Sequence, residues 1–590
     1  MSSLENSVPP VFDSPEALPP KKNRGKVLLI ILAIVLILIC CLGVIAAFLY
    51  FDPFGWGLLS FLSRKDPVAE ATPIDSTAYA GVDLLNVDTE KAQSLVTVFE
   101  DAYQEYATEY GGLPDDFQAQ INDSLDEFDI NFEEDILPWI GRHAGFGLLE
   151  LELDSYGSLE TASYFVALET RDRDAADAFL LKLTDGISDS RDISIDTSLY
   201  EDTTIYIVDD PYQSLAFARY KNLVIMADSP DSIRQMIDAS SSDSIADDPV
   251  YRDLIGQLPK ERIFNFYLPG DALSKLYQTA VQDMSLLGTS VANTYDIISG
   301  VAFSLSIVDA GLQFDTLMAY DPAQLSASQI EMMEATGRGS PVADQLPGDT
   351  LLYFSGQRPD LIWQTYYDTM NESLGGDFEE SMAELEDEIG INLNTDLFPY
   401  LDGVYAIAVF PSDTGSLAQL ANIKLGIAIL AQTSDDAALL DTVEAFNPYL
   451  EDLADLTITE SSTANMTIFE ASIFYFEQPI LAYGVGSGWF GLTSSLDVLE
   501  ALPDRADSLS ESDYFRQVQG YLPSGMSVAG YIDFKHGLEA IRSSLSNVDL
   551  EIFDQATVLL EPIDALVAGS SPFNGDSMHS TLILVIPTEN

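Results

Sequence analysis

Near residue 135 the chain reads DILPWIG, and near residue 396 it reads DLFPYLD. Two versions of one acidic, apolar, proline, aromatic, aliphatic string, 261 residues apart, constrain the fold more than any other feature. They predict a unit the size of a whole domain built twice, because a stacked solenoid repeats every 20–50 residues or so. Other matches keep the same order. ATPIDSTAYA (71–80) aligns with QLPGDTLLYF (345–354), pairing Pro73 with Pro347, Asp75 with Asp349 and Tyr79 with Tyr353. INFEEDILPWIG (130–141) meets INLNTDLFPYLD (391–402), and FVALETRDRDAADAF (165–179) meets IAILAQTSDDAALLD (427–441). LAFARYKNLVIMADSPDSI (215–233) runs without a gap against LAYGVGSGWFGLTSSLDVL (481–499). YRDLIGQLPKERIFNFYL (251–268) pairs with FRQVQGYLPSGMSVAGYI (515–532). The offset drifts between 274, 261 and 266, as loop insertions and deletions would make it.

Within each copy, alternating apolar runs such as LVIMA, FSLSIV and LILVI read as strands, and DAG between two of them reads as a hairpin turn. In the first copy Leu95, Val98, Phe99, Ala102 and Tyr106 share one helical face, with Gly111-Gly112 placed to cap it. The reading is α+β: two duplicated halves with largely antiparallel sheets and helices on one face. Copy 1 is expected over 70–322 and copy 2 over 341–590, with an acidic and polar connector at 323–340. In DILPWIG the proline cannot donate to a strand ladder, so the string should be a short helix end or turn. Trp139 and Tyr400 then plug the core ahead of the next strand.

From Val27 to Phe51 no residue is charged. At about 1.5 Å rise per residue this run crosses a hydrocarbon core of about 30 Å, and it is too long for a signal peptide. It predicts a single transmembrane helix at 27–51, with a disordered Pro- and Ser-rich tail at 1–26 and a juxtamembrane linker at 52–69. Lys21, Lys22, Arg24 and Lys26 precede it, which places the N-terminus in the cytoplasm and the bulk of the chain outside. The net charge is −69. Such acidity excludes nucleic acid as a partner, because a phosphate backbone needs clustered Lys and Arg, and reads as a solvated surface. The two cysteines, Cys40 and Cys41, fall inside the apolar run, so no disulfide staples the rest.

The chemistry-bearing residue types are sparse. His143, His536 and His579 stand alone, without the spacing of a zinc site, and no nucleophile elbow or phosphate loop occurs. GVGSG (484–488) lies between strands and reads as a hairpin turn. Glu133, Glu134 and Asp135, or Asp209 and Asp210, offer carboxylates for calcium or glycoside chemistry, but in so acidic a chain solvated faces are the ordinary outcome. No catalytic, metal-binding or cofactor-binding residue is assigned, and no cofactor is expected.

The strings LPGDTLLYF and INFEEDILPWIG resemble those of a bacterial family called domain of unknown function 3352. The resemblance covers nearly everything after residue 70. The second copy departs from it at Asp402-Gly403, where the first has Gly141-Arg142. It implies a membrane-anchored or exported envelope protein and assigns no chemistry. Two function classes follow. One is a non-enzymatic cell-envelope protein whose ectodomain binds a lipid, glycan or protein; the other is an extracytoplasmic hydrolase using clustered carboxylates. A concave pocket of convergent acids with shifted pKa would favour the second, and a broad apolar or flat polar surface the first.

Overall fold

The computed structural model describes residues 65–587, apart from internal segments of which the longest are 111–124 and 283–296. The apolar run 27–51 lies outside the described residues. Among those described, no helix is long and apolar enough to cross a membrane.

The strands of the first half are β1 (Ala78–Asp83), β2 (Ile140–Leu153), β3 (Leu159–Thr170), β4 (Ile195–Tyr200), β5 (Thr203–Asp210), β6 (Gln213–Tyr220), β7 (Leu223–Ala227), β8 (Phe264–Pro269), β9 (Ile298–Val308) and β10 (Gly311–Tyr320). Those of the second are β11 (Leu352–Gln357), β12 (Val404–Pro411), β13 (Leu425–Gln432), β14 (Thr457–Ser462), β15 (Thr467–Ser472), β16 (Leu481–Gly486), β17 (Trp489–Thr493), β18 (Ser527–Asp533), β19 (Ala565–Ser570) and β20 (Ser577–Val585). All join one sheet of 20 strands, and every pairing is antiparallel. The first half runs β4-β5-β6-β7-β3-β2-β1-β8-β9-β10. The second runs β14-β15-β16-β17-β13-β12-β11-β18-β19-β20. They meet where β10 pairs with β20, from Gly311 opposite Val585 to Ala319 opposite Ser577.

Each half buries the same ring cluster. Tyr79 of β1 lies opposite Tyr267 of β8, and Tyr251 packs edge-on against both rings, with centroids at 6.2 and 5.2 Å. Tyr353 of β11 lies opposite Tyr531 of β18, and Phe515 packs edge-on against both at 6.2 and 5.0 Å. Edge-to-face rings suit the aromatic quadrupole, and so large an apolar area at the sheet centre anchors each core. The hairpins at Lys221 and Ser487 both use a left-handed residue, with φ of 53° and 55°.

The twin strings form the same capped turn. Asn131 accepts from the backbone N–H of Glu133 and Glu134, while its own N–H donates to Asp135 at 2.8 Å. Asn392 accepts from Thr395 N–H, and its N–H donates to Asp396 at 2.9 Å. The acid of each string thus closes a turn through backbone hydrogen bonds, as an N-terminal cap does. Trp139 is then fully buried beside Phe179, whereas Tyr400 is only half-buried.

Three details depart from the sequence reading. Helices cover both faces of the sheet. Helices Pro230–Ala239 and Pro249–Gln257 pack on Phe165 and Ala167, while helix Arg173–Arg191 packs on Phe217 and Val224 of the opposite face. The core begins before residue 70, since Val68 and Ala69 in the expected linker are buried. The expected connector holds helix Ala327–Ala335, capped by Ser326 and burying Met333 and Ala335.

Candidate functional site: an apolar sheet face and a charged network

Strand alternation ordinarily puts apolar residues inward and polar residues outward. In the second half, β11, β12 and β13 are apolar on both sides. Tyr353, Ala408 and Ala428 point into the core, while Phe354, Ile407 and Ile429 form the next row, in register, on the other face. Ile427 extends this row along the strand. These four side chains are 46%, 42%, 36% and 41% exposed for Phe354, Ile407, Ile429 and Ile427. Single exposed apolar residues are ordinary, but a contiguous group on adjacent strands marks a surface for a partner or an apolar ligand. The matching row of the first half, Ala80, Phe146 and Val166, is half-buried.

The first half instead carries a network of ionised groups where β1, β2 and β8 lie side by side. Arg142 grips Asp83 with two hydrogen bonds of 2.8 and 2.6 Å. His143, opposite Asp83 in the register, bonds Glu169 through Nδ1 at 2.8 Å, and Glu169 also accepts from the backbone N–H of both Arg142 and His143. Asp66 is half-buried and accepts from Tyr79 Oη at 2.5 Å and from the N–H groups of Val68 and Ala69. Gly81 makes the space: a Cβ there would stand 3.1 Å from both the Asp66 carboxylate and the Tyr79 hydroxyl. Burial pushes the Asp66 carboxyl up and Arg262 down from their ordinary values. Burial works against a charged His143, but the Glu169 carboxylate and the nearby aspartates outweigh it and hold the ring above its usual value.

At the corresponding second-half positions stand Ser355, Gln357, Gly403, Val404, Phe515 and Met526, in place of Gly81, Asp83, Arg142, His143, Tyr251 and Arg262. The network therefore belongs to the first half alone.

The linkage has a definite sign. His143, with a raised folded pKa, contributes stability that is complete below about 6.5 and is lost as pH rises through its folded value. Glu169, with a lowered pKa, contributes above about 4.5 and loses it as pH falls. Raised Asp66 works in the same sense as His143. The His143 contribution to the first half should therefore fall as pH rises above about 6.5. His143→Gln should flatten that slope, read as the urea midpoint of hydrogen exchange in β2; an unchanged slope would show that the ring does not titrate in the folded state.

The histidines do not converge. His536 bonds Asp533 at the start of helix Phe534–Arg542, and His579 bonds Asp315 on the strands that join the halves. Glu133 and Glu134 are exposed or half-exposed at the capped turn, Asp209 and Asp210 end β5, and Ser487-Gly488 is the β16–β17 turn. No group of three or more His, Cys, Asp or Glu able to hold a metal occurs among the described residues. Among the described residues, a cleft of about 170 Å³ lies between Asp75 and Lys275, and another of about 710 Å³ lies between the halves, its wall mixing Leu95, Ile307 and Val308 with Lys91, Asp309 and Asp564. Neither contains Asp66 or Glu169.

No curated protein matches the chain. Crystal form I of TP0453 is similar at 8% identity and a TM-score of 0.22, over 45% of this chain and 82% of that one. Crystal form III gives 8% and 0.22 over 46% and 86%. The model of the family described as protein of unknown function (DUF3352) matches residues 30–585, nearly the whole length, and the chain belongs to that family.

Proposed function

We propose that the chain is a single-pass cell-envelope protein, anchored by residues 27–51 with its N-terminus in the cytoplasm, whose duplicated ectodomain is a binding or structural module and not an enzyme. Equal strand order, the paired capped turns and the twin ring clusters support the duplication. The exposed row Phe354, Ile407 and Ile429 carries the functional reading, because it offers an apolar partner several contiguous side chains on a rigid sheet. Its ligand class is an envelope lipid, the apolar face of a glycan, or a protein segment. The shifted acid, Asp66, already accepts three hydrogen bonds from the chain and lines neither of the clefts described above, which disfavours the hydrolase alternative.

The full chain should be purified from membranes and bound amphiphiles or peptides read by native mass spectrometry. Ile407→Ser with Ile429→Ser should lower the bound fraction at least tenfold while leaving circular dichroism unchanged. Unchanged occupancy would remove the sheet face from the reading. Turnover of an ester, phosphate, glycoside or peptide that Asp66→Asn abolishes, with folding intact, would replace it by the hydrolase.

A further inference from the structure

The stretch that leads into each half has a common pattern. PFGWGLLSFLSRKDPVAE (53–70) lies against ASQIEMMEATGRGSPVAD (327–344), matching Arg64 with Arg338, Pro67 with Pro341 and the Pro-Val-Ala that follows. Trp56, Leu58, Leu59 and Phe61 stand where the second half has Ile330, Met332, Met333 and Ala335. In the second half this stretch is helix Ala327–Ala335, which packs on helix Pro359–Leu374. It then reaches the β19–β20 turn, where Gly337 lies so close to Ser571 that a Cβ would meet its carbonyl oxygen at 2.4 Å. Ser527 Oγ donates to the Gly337 carbonyl at 2.7 Å and fixes the stretch to the start of β18.

Among the described residues, nothing equivalent covers the other end of the seam between the halves. There the cleft of about 710 Å³ is walled by helix Thr89–Tyr110 and by the β9–β10 turn. These follow β1 and β9 as helix Pro359–Leu374 and the β19–β20 turn follow β11 and β19. We propose that residues 53–62 of this same chain fill the cleft between the halves, taking at this end of the seam the place that helix Ala327–Ala335 takes at the other.

Reach fits, and part of the wall is apolar. Asp66 is tied to Tyr79 on β1, and β8 and β9 are the next two strands, about 10 Å away at strand spacing. Residues 53–65 span about 20 Å as a helix. Ile307 and Val308 offer half-buried apolar side chains on a wall that also carries Glu90, Lys91, Asp309 and Asp564, and the segment offers Trp56 and Phe61, bulkier than the Ile330 and Ala335 they match. Burying them removes roughly 150–250 Å² of apolar area for each ring.

The inference rests on reading the halves as repeats, yet the two fail separately. An experimental structure with different strand orders in the halves would remove the repeat; the following measurement reads the occupant of the cleft. In the full chain carrying Cys40→Ser and Cys41→Ser, a Gln517→Cys reporter lies on the cleft wall at an exposed position. Its reaction with a bulky maleimide should be at least tenfold slower than that of an exposed Ser242→Cys reporter. Leu59→Asp with Phe61→Asp should restore it. A Phe61→Cys and Gln517→Cys pair, mildly oxidised in the otherwise intact chain, should give a joined peptide by mass spectrometry, so the test survives misfolding of the release variant. Fast labelling in the intact segment, with no joined peptide, overturns the proposal. So does protection that persists after release and falls on dilution, which assigns the cleft to a second copy, or on delipidation, which assigns it to an amphiphile. Protection of Ile429→Cys in place of Gln517→Cys would move the segment to the sheet face and equally overturn it.

Discussion

Asp315→Ala is expected to destabilise the junction of the halves by about 3–5 kcal/mol, the range for removing one member of a buried, hydrogen-bonded charged group. Asp315 is fully buried on β10. It accepts from Gln313 Nε2 at 2.9 Å, from Thr581 Oγ1 at 2.6 Å and from His579 Nε2 at 2.9 Å. Two of those donors come from β20, so one carboxylate holds both halves at the strands where they pair. Alanine leaves the Gln313, Thr581 and His579 donors without their acceptor in a place that water reaches poorly. Asp315→Asn keeps the volume and one acceptor oxygen and should cost less, about 1–2 kcal/mol. Urea unfolding followed by hydrogen exchange at β10 and β20 measures both. A loss below about 1 kcal/mol for the alanine variant would mean that the ladder alone holds the seam.

Trp139→Ala should be nearly as damaging, at about 3–5 kcal/mol, because it empties a fully buried indole site. The ring packs on Phe179 with centroids 5.2 Å apart, and its Nε1 donates to the Asp135 carbonyl at 2.8 Å. The same change at Tyr400 should cost about 1 kcal/mol, since that ring is half-exposed. In the second half the aromatic anchor has moved two residues back, where Phe398 stacks on Trp363 at 4.2 Å. Equal losses at Trp139 and Tyr400 would contradict the burial that separates them.

Much of the fold was legible because its signals are local. Hairpins at DAG, Lys221 and Ser487 declare themselves in a few residues, and the capped turns carry their Asn and Asp four positions apart. The pairing of β10 with β20 was not legible: it joins residues such as Asp315 and Thr581 that are 266 apart, and no local pattern specifies it. The apolar face of β11–β13 was equally hidden. LGIAILAQ is apolar at every inward and outward position but its last, so alternation cannot tell which side meets solvent. The charged network was missed for another reason. Asp66, Asp83 and Glu169 are scattered among 95 acidic residues, and only the side-by-side pairing of β1, β2 and β3 brings them to His143. The PVAE and PVAD matches at 67–70 and 341–344 were in plain sight, and each falls on a short helical turn, Ala69–Ala71 or Pro341–Asp344, ahead of the first strand of its half.

The seam also governs how the molecule avoids its own kind. Two separate ten-stranded sheets would present four raw borders, each a row of unpaired N–H and C=O groups ready to recruit another chain. Joining β10 to β20 removes two of them. Among the described strands, the borders that survive are β4 and β14, six residues each, IDTSLY and TITESS. Both are short, dominated by hydroxyl side chains and marked by a carboxylate, Asp196 on one and Glu460 on the other. A sheet this wide would otherwise offer four templates for lateral growth; here two are consumed inward, and the two that remain are brief and each interrupted by a carboxylate.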